Sequence, residues 1–186
     1  MIEAELKARV ADPATVRALL LAAAGEPEVA QYADTYYDRA GELGKDGREL
    51  RVRTVTTGEN ARTLLTYKGA VVDEASGSKP EAETVVGDRE AVERIVIGLG
   101  YTPVISFTKE CENFALTTDS GRAVLATLVT VPELDGTFIE VESAATDGDD
   151  MRTALDELRA LLLDLEISPE ALTTELYTDA VAAARR

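Results

Sequence analysis

Ile2, Ala4, Leu6, Ala8 and Val10 of the opening segment MIEAELKARV alternate with Glu3, Glu5, Lys7 and Arg9. Successive side chains of a strand point to opposite faces, so the pattern predicts a strand with one apolar face and one ionic face. Asp12-Pro13 reads as a helix start, with a side-chain acceptor at the N-cap and proline at the first helical position. In the following ATVRALLLAAAG, Val16, Leu19 and Leu20 share a face and Gly25 is a natural stop. QYADTYYDR (31–39) predicts a second strand, rich in aromatic residues. After the turn-rich AGELGKDG, the alternating RELRVRTVT (48–56) and ARTLLTYKG (61–69) predict a β-hairpin.

AVVDEASGSKP (70–80) predicts a polar loop, PEAETVVG a further strand, and DREAVERIVIGLG a helix capped by Asp88 and closed by Gly98 or Gly100. VISFTKECENFALTTD (104–119), AVLATLVTVP (123–132) and TFIEVES (137–143) are three more strand candidates. Met151, Leu155, Leu158, Leu161, Leu162 and Leu165 recur at helical spacing over about 149–164, the mark of a core-facing helix. Asp147, Asp149 and Asp150 precede it as caps, because their spacing lacks the twelve-residue calcium loop. SPEALTTELYTDAVAAARR predicts one or two short terminal helices. No composition break, repeat or low-complexity tract divides the chain. The expectation is one domain over residues 1–186, of α+β class with a largely antiparallel sheet.

Composition narrows the chemistry. The 186 residues are 45% hydrophobic and 29% charged, a globular balance, with 35 acidic against 19 basic residues and a net charge of −16. A bulk negative field repels nucleic-acid backbones and anionic membranes, so neither is an expected partner. No apolar run approaches the ~20 residues of a membrane span, and no signal-peptide pattern leads the chain. The single Cys111 excludes an intramolecular disulfide, so a cytoplasmic location is expected. The absence of histidine removes the usual general base and zinc ligand. Any catalysis must therefore run on carboxylates, Lys, Arg, Tyr and a hard metal such as magnesium or manganese.

The ionic face of the first strand has counterparts. Arg51 and Arg53 share a face in ELRVR, Lys68 sits with Thr66, and Lys79, Glu81 and Glu83 line up in KPEAETVV. Glu140 and Glu142 oppose Ile139 and Val141 in FIEVE, and Lys109 shares a face with Phe107 and Cys111. One reading makes these the solvent faces of a half-exposed sheet, with cross-strand ion pairs. Another curls the strands into a barrel with the charged faces inward. Because unpaired buried charges are costly, that lumen must hold either a highly charged ligand or, as a third option, water. Polyphosphate with a divalent cation suits it: Lys and Arg neutralise phosphoryl oxygens, and i, i+2 carboxylate pairs hold a hard cation.

Glu3-Ala4-Glu5-Leu6-Lys7 resembles the ExExK signature of the CYTH superfamily, which unites class IV adenylyl cyclases with triphosphate tunnel metalloenzymes such as thiamine triphosphatases. The resemblance continues in order through DTYYD (34–38), LRVR (50–53), TYKG (66–69), KPEAE (79–83), GTFIEVE (136–142) and ELYTD (175–179). Its compact length and N-terminal opening look closest to the class IV cyclase branch. The resemblance implies an eight-stranded antiparallel barrel enclosing a tunnel, with helices outside and the odd-numbered face of the first strand in the lumen. It implies Glu3, Glu5, Glu140 and Glu142 as metal ligands or metal-orienting groups, for Mg2+ or Mn2+. It implies Lys7, Arg51, Arg53, Lys68, Lys79 and Lys109 as substrate-binding groups, with Lys7, Arg53 and Lys68 closest to the chemistry. Glu81 and Glu83 would support them, and Arg9 would be an ionic neighbour at the tunnel mouth.

Two positions depart from the family pattern. Cys111 stands where a second basic residue of a K-x-R pair is common, and a thiol cannot replace a bidentate guanidinium. The family's aspartate before the late ExE is missing from AVLATLVTVPELDG, leaving Thr127 or the turn residue Asp135. The expected function is a metal-dependent adenylyl cyclase acting on ATP. The alternatives are a phosphohydrolase of inorganic or organic triphosphates and a non-catalytic nucleotide or polyphosphate binding module. The expected partner is a nucleoside triphosphate or inorganic triphosphate, with a homodimer left open.

Overall fold

The computed structural model describes residues 1–186. Its strands are β1 (Ile2–Val10), β2 (Glu28–Asp38), β3 (Glu49–Thr57), β4 (Asn60–Lys68), β5 (Lys79–Val86), β6 (Thr102–Thr117), β7 (Ala123–Thr130) and β8 (Thr137–Ala145). Helices α1 (Pro13–Ala24), α2 (Arg89–Gly98), α3 (Gly148–Asp164) and α4 (Tyr177–Ala184) lie between and after them. The strands close into a barrel in the order β1-β5-β4-β3-β2-β6-β7-β8, every neighbouring pair antiparallel. This is the α+β class and antiparallel sheet that the sequence signals predict, closed into the eight-stranded barrel that the resemblance implies. β2 starts three residues earlier than the sequence signals suggest, at Glu28, because its first residues pair with the long β6 from Glu28–Asn113 onward. No helix is long and apolar enough to cross a membrane.

The cap residues act as expected. Asp12 accepts from the Ala14 and Thr15 amides, Asp88 from Ala91, and Asp147 from Asp149 and Asp150. Each satisfies helix-start donors that would otherwise be orphaned. Gly25 ends α1 at φ +80°, a conformation an L side chain resists.

The main core lies outside the barrel. Ala4, Leu6 and Ala8 of β1, Ala126 and Leu128 of β7, and Ile139 and Val141 of β8 meet Val16 and Leu20 of α1 and Leu155, Leu158 and Leu162 of α3. The predicted helical stripe is thus core, and its burial fixes which face of these strands turns inward. Val92 and Val96 of α2 cover Tyr37 and Val52 on another flank. A second cluster closes one end of the barrel from within: Tyr36, Phe107, Phe138 and Val129 pack against Tyr177 and Val181 of α4.

Candidate functional site

With the apolar faces taken by the outer helices, alternation sends the opposite faces into the lumen. A chamber of about 240 Å³ there is lined by Glu3, Glu5, Lys7, Arg51, Arg53, Lys68, Lys79, Glu81, Glu83, Lys109, Glu140 and Glu142. Residues 139 positions apart in sequence thus meet at one site. Arg9 stands at the rim, 54% exposed at its side chain, paired with Glu175 and set over the Phe138 ring. The strand registers fix the rows: Glu142 lies opposite Glu5 and Glu140 opposite Lys7, while Leu125 and Thr127 of β7 face Glu142 and Glu140.

Two charge networks share the chamber. In one, Lys68 Nζ contacts Glu3 and lies 3.6 Å from Glu5 and 3.4 Å from Glu81. Burial works against its charge, but Glu5 and Glu3 outweigh that and hold the ammonium well above its ordinary pKa. Burial raises the Glu3 and Glu5 carboxyls despite Lys68, and together with Glu3 and Glu5 it pushes Glu142 up to about 8. In the other network, burial would raise Glu140, but Lys109, Lys7 and Arg53 hold it down at about 2. Lys109 Nζ reaches both Glu140 oxygens at 3.4 Å. Lys79 pairs with Glu49, and Arg51 lies 3.8 Å from Glu83, with Thr66 donating to the same carboxylate.

Several residues in or beside the chamber have no role given by the sequence. Asp34, with its side chain fully buried, accepts a two-pronged contact from Arg53 Nε and Nη2 at 2.7 Å each. Burial alone would raise its carboxyl, but Arg53 brings it down to about 2. The Arg53 guanidinium also lies 4.4 Å over the Tyr32 ring. Tyr177 stands between two ammonium groups, Lys7 at 4.6 Å and Lys109 at 4.3 Å from its ring centre, and Lys7 also donates to the Glu175 backbone carbonyl. Asp34 and Glu49 share strand faces with Tyr36 and Arg51, which is the signal that could have found them.

The two departures occupy different surroundings. Cys111 is buried in the aromatic cluster, where burial pushes its thiol up to about 12, so it packs as a small apolar residue. Thr127 points inward and donates to Asn113, which in turn donates to the Tyr32 hydroxyl. Asp135 lies exposed in the β7–β8 turn, away from the chamber lining.

The donor set suits a hard divalent cation: Glu3, Glu5 and Glu142 supply oxygen ligands only, and burial first, with repulsion among neighbouring carboxylates second, raises their pKa values, a cost that a bound cation would offset. The carboxylates are not grouped around a common point, because Lys68 sits among Glu3, Glu5 and Glu81.

The same shifts predict how metal-free stability follows pH. The folded protein keeps a proton on Glu142 up to about 8, whereas the unfolded chain loses it near 4.5. That contribution is full below 4.5 and is lost as pH rises through 8; Glu3 and Glu5 act in the same direction. Asp34 and Glu140, held at about 2, contribute above their unfolded values, and that is lost as pH falls toward 2. Thermal melts in chelator should therefore show the midpoint falling between pH 5 and pH 8. A flat or rising midpoint there would remove the carboxylate strain.

The pattern described as the CYTH domain matches residues 1–177. The Methanocaldococcus jannaschii protein named "Putative adenylate cyclase MJ0240" is 26% identical over 183 residues, covering 96% of this chain and 98% of that protein. The structure of the Pyrococcus horikoshii protein PH1819 superposes with a TM-score of 0.85 at 25% identity, covering 99% of both chains. The Hippeastrum protein HpAC1, for which a dominant triphosphatase activity is described, superposes at 0.66 with 16% identity, covering 98% of this chain and 96% of its own. A family match over nearly the whole length, on a closed barrel with a charged lumen, means that this chain belongs to the CYTH domain family.

Proposed function

We propose that the protein is a divalent-metal-dependent enzyme that acts on a triphosphate held in the lumen, converting ATP to cyclic AMP and pyrophosphate. The convergence of Lys7, Arg51, Arg53, Lys68, Lys79 and Lys109 with carboxylates in one chamber carries this reading. Burying that many charges without a ligand of matching charge is unfavourable, and a triphosphate with its cation answers both signs. The name of the Methanocaldococcus relative agrees with it.

In this reading Lys7, Lys68 and Arg53 neutralise charge developing on the reacting phosphoryl group, and Arg51, Lys79 and Lys109 hold the rest of the chain of phosphates. The Arg51 Nε is buried without a hydrogen-bond partner, a donor left for a phosphoryl oxygen. Glu3, Glu5 and Glu142 would hold the metal, which supplies Lewis-acid polarisation of phosphoryl oxygens. Glu140, surrounded by Lys109, Lys7 and Arg53, suits the orientation of those cations better than metal binding. Glu81 and Glu83 steer Lys68 and Arg51. The ribose 3′-hydroxyl attacks the α-phosphorus, the bond to the β-phosphate bridging oxygen breaks, and the hydroxyl proton passes to water or a lumen carboxylate.

The second reading is hydrolysis, in which water attacks the terminal phosphorus within the same cage; the activity described for HpAC1 favours keeping it. Incubation with ATP and Mn2+, with products resolved by chromatography, separates the two. Cyclic AMP with pyrophosphate is the expected result. Orthophosphate with ADP would replace it with the hydrolase, and tight binding without either product would make the protein a binding module.

A further inference from the structure

Asp34 grips one edge of the Arg53 guanidinium, through Nε and Nη2, and the side chain is only 11% exposed. Nη1 makes no hydrogen bond to the protein, so it is the donor left for a phosphoryl oxygen in the chamber that Arg53 lines. An edge-on pair fixes two nitrogens but lets the flat group tilt about the carboxylate, so the aim of Nη1 needs a second support. Tyr32 supplies it, with the Arg53 Cζ 4.4 Å from its ring centre. We propose that Tyr32 is a positioning residue for the triphosphate site: it holds the plane of Arg53 so that the free edge faces the phosphate, and Asn113 and Thr127 in turn hold Tyr32. The proposal rests on the triphosphate reading above and adds what aims one of its cations.

The support is anchored across three neighbouring strands, with Tyr32 on β2, Asn113 on β6 and Thr127 on β7. Asn113 Nδ2 donates to the Tyr32 hydroxyl at 2.9 Å, and Thr127 Oγ1 donates to Asn113 Oδ1 at 3.0 Å. Asn113 and Thr127 are register partners, and Thr127 is buried. Both polar atoms of the amide are thus engaged, which pins the far end of the ring. Ala30, Val55 and Leu64 pack its body. All three anchoring residues are uncharged, so the support leaves the positive charge of Arg53 for the ligand. An aspartate at 127 would set an acceptor against the Asn113 oxygen, and the amide would turn its nitrogen away from Tyr32.

The test is calorimetric titration with inorganic triphosphate and Mg2+ of the wild type, Tyr32→Leu, Tyr32→Phe and Thr127→Val, each also made in an Arg53→Lys background. Lysine keeps a cation beside Asp34 but offers no flat face for the ring to hold. With Arg53 present, Tyr32→Leu should lose about tenfold in affinity. Tyr32→Phe and Thr127→Val keep the ring but free its far end, and each should lose about threefold. In the Arg53→Lys background all three should shift affinity by less than about twofold, because the group they aim is gone. That cancellation separates aiming from lost packing, which would weaken both backgrounds alike. If Tyr32→Leu fails to fold, the other two variants carry the same comparison. Equal losses in the two backgrounds, or a Tyr32→Phe variant as weak as Tyr32→Leu, would overturn the proposal. Wild type that binds triphosphate, with every variant binding equally well, would end this inference alone. Wild type that does not bind it would remove the triphosphate reading beneath.

Discussion

Replacing Glu5 with Gln is expected to lower metal-dependent turnover by at least about 100-fold while leaving the protein folded. Glu5 faces the chamber opposite Glu142, within 3.6 Å of Lys68, and burial raises its carboxyl. The amide keeps the shape but loses the charge that a hard cation requires of its ligand. Because the substitution also relieves repulsion with Glu3 and Glu142, the metal-free variant should melt no lower than the wild type at pH 8. Steady-state rates over a Mn2+ titration, with melting curves beside them, make the check. Near-wild-type turnover would take Glu5 out of the metal-binding set.

Arg53→Ala should be the most damaging change to the fold itself. It strips Asp34, whose side chain is fully buried, of both of its short contacts and leaves a charge with no neutraliser. Breaking a buried pair from one side costs about 3–5 kcal/mol. The double variant Arg53→Ala with Asp34→Ala should recover part of that loss, since no orphaned charge then remains. Denaturant unfolding of the three variants measures it. In whatever population stays folded, the apparent Michaelis constant for a triphosphate should rise, because a guanidinium contact is gone. A single variant as stable as the wild type would show that the Asp34 carboxylate finds another partner or water.

These two residues also separate what local pattern carries from what it does not. Glu5 is readable: it alternates with apolar neighbours inside ExExK, and both the period and the motif are properties of a few consecutive residues. Arg53 is readable as a charged lumen residue too. Its tie to Asp34 is not, because that depends on the register of β2 against β3, which no single segment specifies. Glu49 was missed for the same reason, since it meets Lys79 from two strands away; Tyr177 lies in the ELYTD segment that the sequence marks, but only the terminal helix folding over the barrel end brings it to Lys7 and Lys109. The aligned Thr127 shows the limit most plainly. Sequence reading marks it as a lost carboxylate, whereas in the fold it links Asn113 and Tyr32 in a neutral hydrogen-bonded chain.

Alternation alone determined that each strand has an apolar and an ionic face, and the ordered motifs determined the family; both follow from side-chain geometry within one strand. Whether the ionic faces met water or each other was decided only by closure of the barrel, which lets the helices cover the apolar sides from outside and leaves the charges nowhere to go but inward. Closure also decided which charges neutralise one another, since electrostatic energy depends on distances that tertiary structure alone sets.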